Sequence, residues 1–343
     1  VRTAVVLLAL SAAMAACSRE SSKPQEAPSA TPPPVAPYAS APGPVASPAP
    51  SAPPPAASEV AVATPKSTVK LLDPGREPRR ALRYAWRADQ TEHMAIDLST
   101  TVSAEGGGMH RDVPLPPLHV SIAITPKQVT QDGDLRFAWH VESSGVGTDA
   151  GTDPAIAQGW SVQLTPVEHL AGTSIVSTHG VSRGVSIDAG STGDAGPDAE
   201  MVVQIVQLLR DAAAPLPDEA VGAGARWQKI STLDARSGHA TQTDTYTLAS
   251  IEGDGGAGSG RLDDVLAQTA SPQAVPSLQG LPPTEPAKMD QLLTSGTAKV
   301  RFDLGRLVAQ TSLDGTTSMA VTAPSARMNM VMHLGIVVKG TTP

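Results

Sequence analysis

The sequence predicts a mainly β fold of the α+β kind: a curved antiparallel sheet or half-barrel, with one or two helices packed at its mouth. Three observations carry this expectation. Apolar residues alternate at period two over several long segments, as in strands with one buried face. Helical spacing is confined to the middle of the chain. A proline- and alanine-rich stretch precedes the alternating region and has too few large apolar side chains to offset the entropy of folding.

The alternation is explicit in the residues. Met94, Ile96, Leu98, Thr100 and Val102 form one set, and Leu118, Val120, Ile122 and Ile124 a second. Leu135, Phe137, Trp139 and Val141 form a third, and the clearest is Met328, Met330, Met332, Leu334, Ile336 and Val338. Between these sets, Ile156, Trp160, Leu164 and Val167 follow helical spacing, and Pro166 is expected to kink or end that helix. Met201, Val202, Ile205, Leu208 and Leu209 predict a second helix, with Asp198 as N-cap and Pro215 and Pro217 as its stop. Strand pattern resumes with Trp227 and Ile230, then Tyr246 to Ile251, and a short helix is expected around Leu262–Ala267. The order strands, helices, strands suits a curved sheet or open barrel.

The chain has 343 residues, with 25 Lys and Arg against 33 Asp and Glu, a net charge of −8. Such an acidic chain is a poor partner for nucleic acid, so none is expected. A single cysteine makes neither an internal disulfide nor a cysteine-rich zinc site. Residues 1–16 read as a signal peptide: Arg2 supplies a minimal positive start, and Ala4–Ala16 is small and apolar but too short to span a bilayer. Met14-Ala15-Ala16-Cys17 resembles the lipobox of bacterial lipoproteins, which implies lipidation of Cys17. The expected localisation is the cell envelope, lipid-anchored, with the membrane as partner through Cys17. Ser18 after the cysteine, by resemblance to the Gram-negative sorting rule, favours the outer membrane.

Residues 17–68 read as the lipidated cysteine and a disordered tether. Of the 48 residues from 18 to 65, 14 are proline and 12 alanine, a composition that forms a semi-rigid spacer with a reach on the order of 150 Å. Residues 69–343 are expected to form one β-rich domain, interrupted by Gly/Asp-rich insertions near 144–153 and 188–198. The Asp-Ala-Gly triplets of these insertions lack the fixed oxygen spacing of a calcium loop. A proline-rich connection is expected over 270–286.

Within the domain, Leu216-Pro217-Asp218-Glu219-Ala220-Val221-Gly222-Ala223-Gly224-Ala225-Arg226-Trp227 resembles a recurring segment of a family of uncharacterised bacterial β-rich lipoproteins, in which a helix leads through this turn into a strand. Leu82–Trp86, Gly180–Gly184 and Tyr246–Leu248 are similar to further elements of that family. The family is in turn distantly similar to half-barrel lipoprotein-carrier and lipid-binding lipoproteins. The resemblance implies an apolar concavity that holds acyl chains; fold analogy alone transfers no activity.

Motifs that suggest enzymes lack their context. Gly180-Val181-Ser182-Arg183-Gly184 matches G-x-S-x-G, but a nucleophile elbow needs a helix straight after the serine, and Val185-Ser186-Ile187 alternates instead. A β-hairpin turn is the expectation there; His239 or His333, with Asp218 or Asp244, have nothing to bring them to Ser182. Gly253, Gly255 and Gly258 match G-x-G-x-x-G without the βαβ unit that a dinucleotide site requires. The eight histidines show no zinc-enzyme spacing. Arg76, Arg79, Arg80, Arg83 and Arg87 read either as a solvated edge that discourages strand addition or as a contact for anionic headgroups.

The candidate ligand-facing residues are therefore Met328, Met330, Met332, Leu334 and Ile336. Thioethers are soft ligands for Cu(I) and also adaptable apolar walls, and the continuation of the stripe into Leu334, Ile336 and Val338 makes it an apolar face first. The expectation is a non-enzymatic envelope lipoprotein, without cofactor or metal, that binds a lipid or other hydrophobic ligand. The alternative is a structural or interaction module whose apolar face is packed core.

Overall fold

The computed structural model describes residues 59–62, 67–87, 90–106, 109–147, 152–192, 200–235, 238–253, 258–275, 287–323 and 326–341. The expected signal peptide, Cys17 and most of the expected tether lie outside these residues, as do 148–151, 193–199 and Asp198. Among the described residues no helix is long and apolar enough to cross a membrane.

In chain order, the body opens with β1 (Glu59–Val62), β2 (Ser67–Asp73) and the two-residue β3 (Arg80–Ala81). A meander follows: β4 (Glu92–Gly106), β5 (Met109–Val129), β6 (Leu135–Val146), β7 (Ala171–Val176) and β8 (Ser182–Asp188). Helix α1 (Pro154–Leu164) lies between β6 and β7, and α2 (Glu200–Arg210) follows β8. A second run comprises β9 (Ala220–Val221), β10 (Arg226–Ala235), β11 (Gly238–Glu252), β12 (Ser259–Ala270), β13 (Gln273–Val275), β14 (Ala287–Asp303), β15 (Gln310–Ala323) and β16 (Ala326–Thr341).

Fourteen strands form one large, curved antiparallel sheet that does not close on itself. Its order is β1-β8-β7-β6-β5-β4-β16-β15-β14-β12-β11-β10-β2, with β13 also paired to β14. The fold is mainly β with two α-helices among the described residues, as the alternation predicts. The two meanders meet where β16 pairs with β4, with Ile336 opposite Leu98 and Val338 opposite Ile96.

The two outer strands fix the curvature. Twelve antiparallel steps separate β1 from β2 in the sheet, so they run in the same direction. Only residues 63–66 connect them, and a link of that length reaches at most about 18 Å. Neighbouring strands lie about 4.8 Å apart, so a flat sheet of this width could not bring its ends so near. The sheet bends round until the same stretch of chain pairs with β8 at one edge and β10 at the other.

Several expectations need correction. The sheet takes in residues from Glu59 onward, so the body begins ahead of residue 69; β1 and β2 are too short to rise above their Ala/Pro surroundings. The short helix expected over 262–267 is instead the middle of β12. Leu262, Asp264, Leu266 and Gln268 all turn inward, and two polar residues at inward positions mask the period. The insertion expected at 144–153 contains the end of β6 and Asp153, whose side chain caps α1. The one expected at 188–198 begins with Asp188 paired to Glu59. β13 occupies part of the expected 270–286 connection. Pro166 ends α1 as expected, continuing it only as a 3-10 turn over Thr165–Val167. β5 carries Pro114, Pro116, Pro117 and Pro126 inside a central strand; register shifts at Leu98/Thr100 of β4 and Pro126/Gln128 of β5 absorb the lost ladder bonds.

The inner face carries the core. Leu98, Ile122, Phe137, Trp139, Ile336 and Val338 are buried there with Trp160 and Leu164 of α1 and Val202, Ile205 and Leu209 of α2. The helices pack near the β5–β8 part of the sheet. Tyr84 and Trp86 stack at 4.3 Å, and the Tyr84 hydroxyl both donates to the Ala214 carbonyl and accepts from the Ala214 amide, each at 3.0 Å. The segment 216–227 has a structural explanation. A Cβ on Gly222 would lie 1.7 Å from the Arg76 carbonyl oxygen, Gly224 has φ +82°, and buried Trp227 donates to the Pro215 carbonyl at 2.9 Å.

Candidate functional site

Period two places Met328, Met330, Met332, Leu334 and Ile336 on one face of β16, and that face is the inner one. They do not form one surface. Met332, Leu334 and Ile336 belong to the main core, whereas Met330 and partly buried Met328 join a separate cluster at the far end of the sheet. That second cluster contains Ala104, Met289, Leu292, Met319 and Val321. Met319 lies directly opposite Met330, and Val321 opposite both Met328 and Met289. Four methionines from three adjacent strands thus gather in one patch. Two of them, Met328 and Met330, stand out in the sequence; the β14 bulge at Met289/Gln291 hides Met289, and Met319 and Val321 carry only a short alternation. No described helix packs there.

Between the two apolar clusters the inner face is polar. Thr294 and Thr317 share a buried hydrogen bond of 3.0 Å. Gln268 lies opposite Thr294 on one side and Gln242 on the other. The residue is 1% exposed, and among the described residues neither its side-chain nitrogen nor its oxygen has a hydrogen-bond partner. Gln242 donates to both oxygens of buried Asp244, at 3.0 and 2.8 Å. Asp264 is also inward and buried.

At the end of α2, Lys229 donates to Asp211 beside a cavity of about 20 Å³ that Tyr246 and Thr311 also border. Burial alone would raise the Asp211 carboxyl, but nearby positive charge, the Lys229 ammonium foremost, outweighs it and holds the group well below the usual carboxylate range. Burial likewise disfavours the Lys229 ammonium, and the Asp211 carboxylate reverses this and raises it. Burial pushes the Tyr84 hydroxyl up and brings Arg210 down to about 10.

Gly180–Gly184 forms a turn and the start of β8, not an elbow: the Ser177 amide donates to the Val181 carbonyl and the strand continues through Ser182. Among the described residues the Ser182 hydroxyl has no hydrogen-bond partner. Asp218 meets neither His239 nor His333; its carboxylate lies 2.8 Å from His179 Nε2, out of hydrogen-bond alignment. Burial and then Arg83 lower the His179 imidazole, so it stays neutral near pH 7. His333 instead contacts Thr316 at 3.3 Å. Three of the entry arginines hold backbone carbonyls: Arg79 that of Gly75, Arg80 that of Gly253, and Arg83 those of Leu82, Pro217 and Asp218. These bonds tie the 75–83 segment to itself, to the 217–218 loop and to the end of β11. Among the described residues no group of three or more His, Cys, Asp or Glu could hold a metal ion. Cys17 lies outside the described residues, as do 254–257 of the glycine-rich match.

No protein-family model matches the chain, and no curated protein matches it.

Proposed function

We propose that this protein is a lipid-anchored envelope protein whose curved sheet binds an amphipathic or wholly apolar molecule on its inner face, without catalysing a reaction. Gln268 is the observation that carries the reading. A filled core is expected to satisfy its polar groups, yet this amide is buried between two apolar clusters and unpaired among the described residues. A ligand with an apolar chain along Met330, Met332 and Leu334 and a polar group at Gln268 would satisfy both. Methionine suits such a wall because its unbranched side chain adapts to varied apolar shapes. The resemblance of residues 216–227 to β-rich lipoproteins supports the same reading, as does the lipobox-like Met14–Cys17.

The test is mass spectrometry of the protein purified from a bacterial envelope, first under native conditions and then after solvent extraction. A stoichiometric lipid mass is the expected result, and the extracted species names the substrate class. An empty, well-folded protein would favour the second reading, a packed structural module, for which the complete burial of Ile336 and the near-complete burial of Val338 speak. The anchor is tested separately: Cys17→Ser should release the protein from the membrane fraction and abolish acyl labelling.

A further inference from the structure

The outer face of the same sheet carries a groove that the inner-face reading does not use. It encloses about 690 Å³, within the range of small-molecule sites. Two cross-strand rows of outward residues border it. One is Ser295, Thr316, His333 and Thr101, each directly opposite the next in the ladder. The other is Thr297, Asp314, Gly335 and Ser99, paired in the same way. Pro114 and Pro117 of β5 close one end and Val265 of β12, which is 57% exposed, the other. The groove therefore runs across six strands, about 24 Å at the usual strand spacing.

Three features decide what it fits. Its floor is open in the middle because residue 335 is glycine: a Cβ there would lie 2.6 Å from Ser99 Oγ and 4.0 Å from an Asp314 carboxylate oxygen. Any larger residue at 335 would fill the middle. The lining is rich in hydroxyls but holds no lysine or arginine, which disfavours a polyanion. Asp314 is exposed, and among the described residues neither its carboxylate nor the hydroxyls of Ser295, Thr297 and Thr101 has a hydrogen-bond partner.

We propose that this groove binds a neutral, linear oligosaccharide. A chain of sugars offers hydroxyl donors to Asp314 and both donors and acceptors to the two hydroxyl rows, and its C–H faces can lie on Pro114, Pro117 and Val265. The elongated, shallow, six-strand trough suits several linked units better than one compact ligand.

The full-length protein is titrated calorimetrically with cellotetraose and with the tetramer of N-acetylglucosamine, and hydrogen exchange is followed over 295–297, 314–316 and 333–335. Binding of at least one of them, with protection confined to those segments, is expected. Asp314→Ala and His333→Ala should each weaken it about tenfold or more, the size of one hydrogen bond to a charged or polar partner, at unchanged Tm. Both side chains are exposed, so each variant should fold; His333→Ala serves should Asp314→Ala not. Absence of protection by either sugar, binding unchanged in both variants, or occupation of the groove by an extended peptide or by dextran sulfate instead would overturn the proposal. None of these outcomes depends on whether the inner face holds a lipid.

Discussion

The carboxylate of Glu92, at the first residue of β4, accepts the backbone N–H of Leu307 at 2.8 Å, and its second oxygen accepts that of Val308 at 3.1 Å. Glu92 is 7% exposed, so one buried side chain satisfies two amides of the turn between β14 and β15. Glu92→Ala leaves both without a partner, and each unsatisfied buried group costs ~1–3 kcal/mol. Urea unfolding should show a loss of about 2–6 kcal/mol, with Glu92→Gln, which keeps one acceptor, losing less. Equal losses in the two variants would contradict this account.

The Asp211–Lys229 pair sets a pH window. Asp211 titrates below its unfolded value of about 3.9, so its contribution is present above that pH and is lost as pH falls towards the folded value. Lys229 titrates above its unfolded value of about 10.4, so its contribution is complete below that pH and is lost as pH rises through the folded value. Tm should be flat from about pH 5 to 9 with respect to this pair and fall at both ends. Lys229→Met should cost up to about 3–5 kcal/mol at neutral pH by removing the main cation beside the buried carboxylate, and less in acid. The double variant Asp211→Leu/Lys229→Met should recover much of the loss.

Ile336 and Met330 share a strand and a face but not a cluster. Ile336→Ala, in the main core, should lose about 2–5 kcal/mol. Met330→Ala, in the outlying methionine patch away from the helices, should fall at or below the lower end of that range while changing the affinity for an apolar dye. Matched losses without any change in dye binding would make the patch ordinary core.

Ser182 should not react with a fluorophosphonate probe, because its hydroxyl has no hydrogen-bond partner among the described residues to act as base. Labelling that disappears in Ser182→Ala would reverse this.

How much was legible before the structure follows from what each signal needs. Long strands with one apolar face, such as β6 and β16, declare themselves because period two survives over four or more inward positions. β12 does not, because Asp264 and Gln268 occupy inward positions, and those same residues give the interior its polar belt. Met328 and Met330 are visible within one strand, but their partners Met289 and Met319 become neighbours only through register. The outer groove is less legible still: Asp314, Gly335 and Ser99 mean nothing separately, and their alignment depends on pairings between strands far apart in sequence. Leu216–Trp227 is the reverse case, a segment whose distinctiveness reflects backbone packing at Gly222 and a buried indole.

The pairing of β16 with β4 joins the last long strand to the first. Each meander can assemble from hairpins as its own strands emerge; β1 and β2 tie their outer edges together, and residues 326–341 join them in the middle of the sheet. The interior is therefore incomplete until that strand is in place. Pairing β16 with β4 closes the longest loop in the sheet, a slow step, and loss of residues 326–341 would open the sheet along its middle, leaving two raw edges with only β1 and β2 to hold the halves together.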